Sequence, residues 1–474
     1  MARQVLSSTM NYQQNPSVNP WAVFGIASLA TFLISIDSTI LYAAFSSIAA
    51  SFPQATPVSI SWVMNAYTIV YATSLIPAGG IADRLGRKKV FMYGVGLFVA
   101  ASFLCGIAPN IYVLIAARVL QAIGAALLGP SSLALILEAF PQSKRAQVMS
   151  SWGAVGALAA AIGPGLGSFI IDSLGWEWAF FLNIPVGLYC LLKGIPTLHE
   201  SRNSHTHIRL DVAGMCLIIL SVSLLTTCII EIKSASLSST RLHLMLTTGM
   251  GLLVAFILWC KKTTDPLVDM GLFKNPTYRF VNMAAVLFSI AFAMMFFSFF
   301  FFMTNIWQYS LPQAGLAMTP GPLSVIPVAI ISGKIASKIG HRSILITGCL
   351  MFASSAFWYL TIPGLTPDYI GSWLPAQLIT GAAIGMVMPS LSAAAVHNLP
   401  KKDYAIGSAI NQAIRQIGTV VGVAITVVLL VNQHIQLNDF HKIYEIQIGL
   451  VLAAGLLATR VDTRPKPEES RSAF

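Results

Sequence analysis

GGIADRLGRK, residues 79–88, and GKIASKIGHR, residues 333–342, align without a gap. Gly79, Ile81, Ala82 and Gly86 of the first fall on Gly333, Ile335, Ala336 and Gly340 of the second. Arg84 and Lys88 fall on Lys338 and Arg342, which keeps the charge. Each stretch ends one long apolar run and opens the next. A junction repeated in this way points to a chain built from two related halves.

The totals say what kind of chain it is. Of 474 residues, 56% are hydrophobic and 9% are charged. A soluble domain needs roughly a quarter of its residues charged to cover its surface. Apolar runs near 20 residues instead suit a hydrocarbon layer about 30 Å thick. Fourteen such runs can be marked: 21–45, 60–81, 90–108, 111–137, 148–171, 178–196 and 211–230, then 243–260, 278–303, 316–337, 343–361, 371–395, 405–431 and 443–460. The expected fold class is therefore an all-α polytopic membrane protein. The polar first 20 residues lead into no short apolar core with a cleavage site, so the first run is expected to stay as a spanning helix. The six cysteines show no CxxC spacing and read as small apolar fillers.

Lys and Arg positions set the orientation. With the N-terminus inside, 23 of the 28 fall in cytoplasmic segments, and only Lys233, Arg241 and Lys442 fall outside. Such a bias places both termini in the cytoplasm. It also accounts for the net charge of +11 without any nucleic-acid partner. Two six-helix halves make twelve spans, and the remaining two sit between them. The divisions are a cytoplasmic tail 1–20, a first bundle 21–200, two additional helices 211–260, a second bundle 261–460 and a tail 461–474. Repeated halves of this kind serve alternating access.

Three charges lie inside spans besides these. In TFLISIDSTILYAAF, residues 31–45, Asp37 is the lone acid of its run. Arg118 interrupts the fourth run, with Gln121 one turn on along a similar face. Charges at such depth usually face a cavity or a partner. At the standard helical rise each lies roughly 10–12 Å below the outer surface, so the two could meet. Burial favours a neutral carboxyl and a neighbouring cation favours the charged form. A residue balanced in this way can carry a proton. Arg415, in GSAINQAIRQIGTVVGVAI at 407–425, is the other cation within a span.

On these residues the chain resembles the major facilitator superfamily, and within it the fourteen-helix drug:proton antiporter family. The resemblance runs from Trp21 to about Arg460. It implies a gating role on the cytoplasmic side for Gly79, Asp83, Arg84, Gly86, Arg87 and Lys88. It implies proton coupling for Asp37 and Arg118. Asp37 is followed by Thr39 as in the family, but Ala43, Ala44 and Phe45 stand where an alanine–leucine–proline triplet is usual. GAVGALAAAIGPGLGSFI, residues 153–170, resembles the antiporter motif of exporters through Gly156, Gly163, Pro164 and Gly167, with Ser168 in place of a second glycine. Glu177 replaces a basic residue between two tryptophans.

The expected function is proton-coupled efflux of lipophilic or cationic small molecules. The alternative is export of one metabolite, siderophore or antibiotic on the same fold. Candidates for the cargo pocket are Asn65, Tyr71, Gln121, Asn305, Gln308, Asn411 and Arg415, beside a ninth run dense in Phe and Met that suits cationic ligands. The third and sixth helices offer little to choose from. No catalytic constellation is apparent, and His205 and His207 read as solvated loop residues, so an enzyme is not expected. Nor is a cofactor: the proton gradient supplies energy. The expected partners are the small-molecule substrate, protons and the lipid bilayer. The chain reads as a monomer in a bacterial cytoplasmic (inner) membrane.

Overall fold

A computed structural model describes residues 19–141, 144–202, 211–232, 240–400, 403–430 and 435–464. Most of both tails, His205, His207, and the basic residues Lys401 and Lys402 lie outside the described residues.

The first bundle contains α1 (Pro20–Ser51), α2 (Pro57–Leu85), α3 (Arg87–Gly106), α4 (Ile111–Ala139), α5 (Arg145–Leu174), α6 (Trp178–Phe181) and α7 (Asn183–Thr197). Two helices follow, α8 (Val212–Glu231) and α9 (Thr240–Lys262). The second bundle contains α10 (Pro276–Asn305), α11 (Leu311–Met318), α12 (Pro320–Ile339), α13 (His341–Thr361), α14 (Leu374–His397), α15 (Tyr404–Leu430) and α16 (Leu437–Ala458). Among the described residues, thirteen spans pass on length and apolarity. The fourteenth is α2, whose 29 residues include Asn65, Thr68 and Thr73, which lower its hydropathy.

Local chemistry explains where helices start and stop. Asn19, Thr56 and Asn110 each accept a hydrogen bond from a backbone N–H of the turn they open. Pro20 and Pro57 stand in first turns, where a missing N–H costs nothing. α1 outruns its expected end at 45 and stops at Ser51, because Phe52 precedes Pro53 and is pushed out of the helical region. The run 178–196 is two helices, since Pro185 cannot donate to Phe181. The run expected from 316 starts at Leu311 and breaks at Thr319, where Pro320 and Pro322 withhold two more donors.

The helix pairings repeat between bundles. α1 packs on α5 and α7, α2 on α4, and α3 on α4 and α7. Correspondingly, α10 packs on α15 and α16, α12 on α14, and α13 on α14 and α16. The repeated junction has the same backbone in both halves: Gly86 has φ +113 and Gly340 φ +83, values that side chains resist. In each half the segment after the last helix caps the third helix. Glu200 accepts from the N–H groups of Lys88 and Lys89, both at 3.3 Å, and Thr463 Oγ1 accepts from His341 N–H at 2.7 Å.

The bundles meet through α5 against α11 and α12, α2 against α15, and α1 against α10. α8 lies against both α2 and α15, while α9 packs mainly on α8. Asp211 ties this pair together, accepting from Gly214 N–H at 2.8 Å, Trp259 Nε1 at 2.8 Å and Leu267 N–H at 2.9 Å.

Candidate functional site

Asp37 and Arg118 are in direct contact. Arg118 Nη1 donates to Asp37 Oδ2 at 2.6 Å, and the two residues are 1% and 0% exposed respectively. Asp37 Oδ1 accepts from Gln121 Nε2 at 2.8 Å and from Asn183 Nδ2 at 2.9 Å. Gln121 also donates to Ser102 Oγ at 2.8 Å and accepts from Arg118 Nη1 at 2.5 Å. Arg118 Nε donates to the Val63 carbonyl at 3.1 Å, and its guanidinium lies 4.0 Å from the Tyr67 ring centroid. Five helices thus meet around one buried ion pair and its partners: α1, α2, α3, α4 and α7. Its three donors complement the anion, and the pairing offsets the cost of burying both charges.

The expectation that the third and sixth helices contribute little is corrected here, since Ser102 lies on α3 and Asn183 on α7. Asn183 was visible as an amide within an apolar run. Nothing local showed that it turns toward α1. Its Oδ1 has no hydrogen-bond partner, and neither does either side-chain polar atom of Asn65.

A cavity of about 2290 Å³ lies between the bundles. Its mouth carries Asp83, Arg87, Glu138, Lys274 and Arg279, all at the basic helix ends assigned to the cytoplasm. The far side is closed by an aromatic seam. Tyr42 stacks on Phe296 at 5.4 Å, and Phe45 meets Phe297 at 4.9 Å and Phe301 at 6.0 Å. The molecule is therefore open inward.

The cavity wall sorts the pocket candidates. Tyr71 and Arg415 are on it, together with Tyr67, Gln377, Gln412, and Phe292, Met295, Phe296 and Phe299 of α10. Five candidates are not. Gln121 is consumed in the Asp37 cage. Asn65 is buried off the wall. Asn411 donates to Asn282 Oδ1 at 2.9 Å, joining α15 to α10 within the bundle. Asn305 donates to the Phe301 carbonyl at 3.0 Å, and Gln308 to the Asn305 carbonyl at 2.6 Å, both at the outer end of α10. Arg118 reaches the wall, but Asp37 does not.

The junction residues bond within their own bundle in this form. Arg87 Nη2 lies 2.9 Å from Asp83 Oδ1, and its Nη1 lies 3.4 Å from Glu138 Oε2. Lys88 Nζ donates to the Ile195 carbonyl at 2.7 Å, near the end of α7. Arg84 is exposed. Gly79 faces Pro130, where a Cβ would make an ordinary contact at 3.6 Å.

The glycine helix α5 has two working faces. On one, Gly156, Gly163 and Gly167 let α1 approach closely. A Cβ on Gly156 would stand 3.0 Å from Thr31 Cγ2, and one on Gly163 or Gly167 would collide with Thr39 Oγ1 or Ile40 Cγ1. On the other face the Pro164 carbonyl and Ser168 meet Gly315 of α11; a Cβ there would lie 2.5 Å from Pro164 O. α5 therefore spans from the helix that bears Asp37 to the opposite bundle.

A fold of two repeated bundles around an inward-open cavity is the architecture of a membrane carrier. The sequence model of the Major Facilitator Superfamily matches residues 27–423 and, again, 283–473, and the chain belongs to that family. It is similar to the multidrug transporter protein MdtP of Bacillus subtilis, at 32% identity over 83% of this chain and 72% of that one. It is similar to the methylenomycin A resistance protein of Streptomyces coelicolor, at 30% identity over 94% of this chain and 93% of that one. It also resembles the multidrug export protein EmrB of Escherichia coli, at 28% identity over 87% of this chain and 81% of that one. Family membership makes the chain a transporter rather than an enzyme. Its spanning helices and bacterial relatives make it a multi-pass protein of the bacterial inner membrane.

Proposed function

We propose that this protein exports lipophilic or cationic small molecules from the cytoplasm in exchange for protons, by alternating access, as one of the fourteen-helix drug:proton antiporters. The carrying observation is the buried Asp37–Arg118 pair directly behind the cavity wall. The names of the relatives, two multidrug transporters and one antibiotic resistance protein, support the direction and the cargo class. The divisions 21–200, 211–260 and 261–460 are taken as first bundle, inserted pair and second bundle. The chain works as a monomer, with no cofactor.

Asp37 carries the proton. In the inward-open form its carboxylate holds Arg118. Protonation removes that attraction, frees Arg118 to move toward the cavity, and changes what the wall offers the cargo. Coupling then runs through Arg118 and the Tyr67 ring that lies against it, because Asp37 itself is off the wall. Asp83, Arg87 and Lys88 re-pair when the cytoplasmic mouth shuts, and the α1–α10 aromatic seam parts.

A second reading, export of one antibiotic, is favoured by the Streptomyces relative, which matches almost the full length of both chains. Uptake of a lipophilic cationic dye into everted membrane vesicles tests the main reading. An inward-directed dye flux driven by a pH gradient is expected in the wild type. Undiminished coupling in Asp37→Asn would overturn the role of Asp37.

A further inference from the structure

The proton pair leaves one deep charge on the cavity wall without a task. Arg415 stands eleven residues beyond Tyr404 on α15, about 16 Å along the helix and well inside the hydrocarbon layer. Its Nη1 lies 3.5 Å from Met388 Sδ, and its Nε has no hydrogen-bond partner. Among the described residues no carboxylate pairs with it. Arg118, the other guanidinium at depth, is balanced by Asp37. The carboxylates on the wall, Asp83, Glu138, Asp211, Asp265 and Asp269, belong to the mouth. The deep chamber is therefore net positive.

An unbalanced cation in a low-dielectric wall is costly, and a bound counter-charge removes that cost. The planar guanidinium fork matches a carboxylate through two parallel N–H···O bonds. Tyr71 and Gln412 stand on the same wall and can share such a head group. On the neighbouring α10, Phe292, Met295 and Phe296 offer an apolar surface on the same wall.

We infer that Arg415 is an anion subsite, so that the cargo range includes amphiphilic organic acids whose carboxylate docks on Arg415 and whose apolar body lies on α10. This rests on the reading of the protein as an exporter. A permanently cationic cargo would be held away from Arg415, against aromatic faces nearer the mouth.

Binding of naphthoate and its neutral counterpart naphthamide to the purified protein in lipid nanodiscs, read by tryptophan fluorescence, tests the subsite. The wild type is expected to bind naphthoate at least about tenfold tighter than naphthamide, the size of one charge-assisted contact. Arg415→Gln should bring the ratio to about one through weaker naphthoate binding, with a melting temperature no lower than the wild type's, and Arg415→Lys should fall between. Equal binding by the wild type, no naphthoate binding, or a ratio that survives Arg415→Gln would each overturn the subsite. The assay uses no gradient, so these results leave proton-driven export standing. Loss of gradient-driven dye uptake in wild-type vesicles, with the naphthoate preference intact, sinks the export reading instead.

Discussion

Arg118 touches both the cavity and Asp37, whereas Asp37 touches only its cage. In the proposed mechanism, the acid that exchanges the proton and the surface that meets cargo are joined by a single guanidinium.

Asp37→Asn should separate two activities. Uptake driven by a pH gradient should be lost, because the amide cannot exchange a proton. Counterflow, in which labelled cargo exchanges for unlabelled cargo with no net proton movement, should persist in proteoliposomes. Loss of both would mean that Asp37 is needed for the conformational cycle itself.

Removing either partner of the pair should destabilise the protein, and removing both should cost less than the sum. Breaking a buried ion pair from one side costs on the order of 3–5 kcal/mol, since it strands the other charge. Melting temperatures of Asp37→Asn, Arg118→Gln and the double variant give the coupling. Additive losses would show that Gln121 and Asn183 carry the carboxylate unaided.

Gly163→Ala and Gly167→Ala should each cost about 1–3 kcal/mol through overpacking and should suppress transport. Gly156→Ala should be milder, because its nearest neighbour is a methyl at 3.0 Å. Thr39→Ala should partly restore Gly163→Ala, since the colliding atom is Thr39 Oγ1. Thermal melts and dye uptake measured side by side check the order.

The two junction glycines should differ in tolerance. Alanine at either must adopt a positive φ with an extended ψ, a region left to glycine, at about 1–3 kcal/mol. At Gly86 the added Cβ would meet the movable end of Glu200, but at Gly340 it would meet the Thr463 backbone oxygen at 2.9 Å. Gly340→Ala should therefore lower the melting temperature more than Gly86→Ala.

The outer seam must open once per cycle. In a variant whose native cysteines are replaced, Phe45→Cys with Phe297→Cys should be joined by a short thiol cross-linker and lose transport, recovering when the link is cleaved. Transport that survives the link would show that α1 and α10 do not part.

Much of the fold is legible along the chain because a bilayer turns it into a one-dimensional problem: apolar length gives spans and Lys/Arg bias gives sides. Asp37, Arg118 and Gln121 stand out for the same reason, as polar groups where the solvent is hydrocarbon. Rotation of a helix about its own axis is another matter. It is set by packing, so Asn183 and Ser102 escape notice while Asn305 and Gln308 attract it from the wrong end of α10. Asn411 is hidden by a partner 129 residues away, Asn282. No local pattern shows that contact.

The caps on α3 and α13 carry a consequence for biosynthesis. The N-terminus of α3 is finished by Glu200 and Ser201, and that of α13 by Thr463. A ribosome delivers those residues last in each half. Each bundle thus waits for its final loop before its third helix is secured, and a chain ending just short of residue 200 would hold all six spans of its half with one end still unclasped.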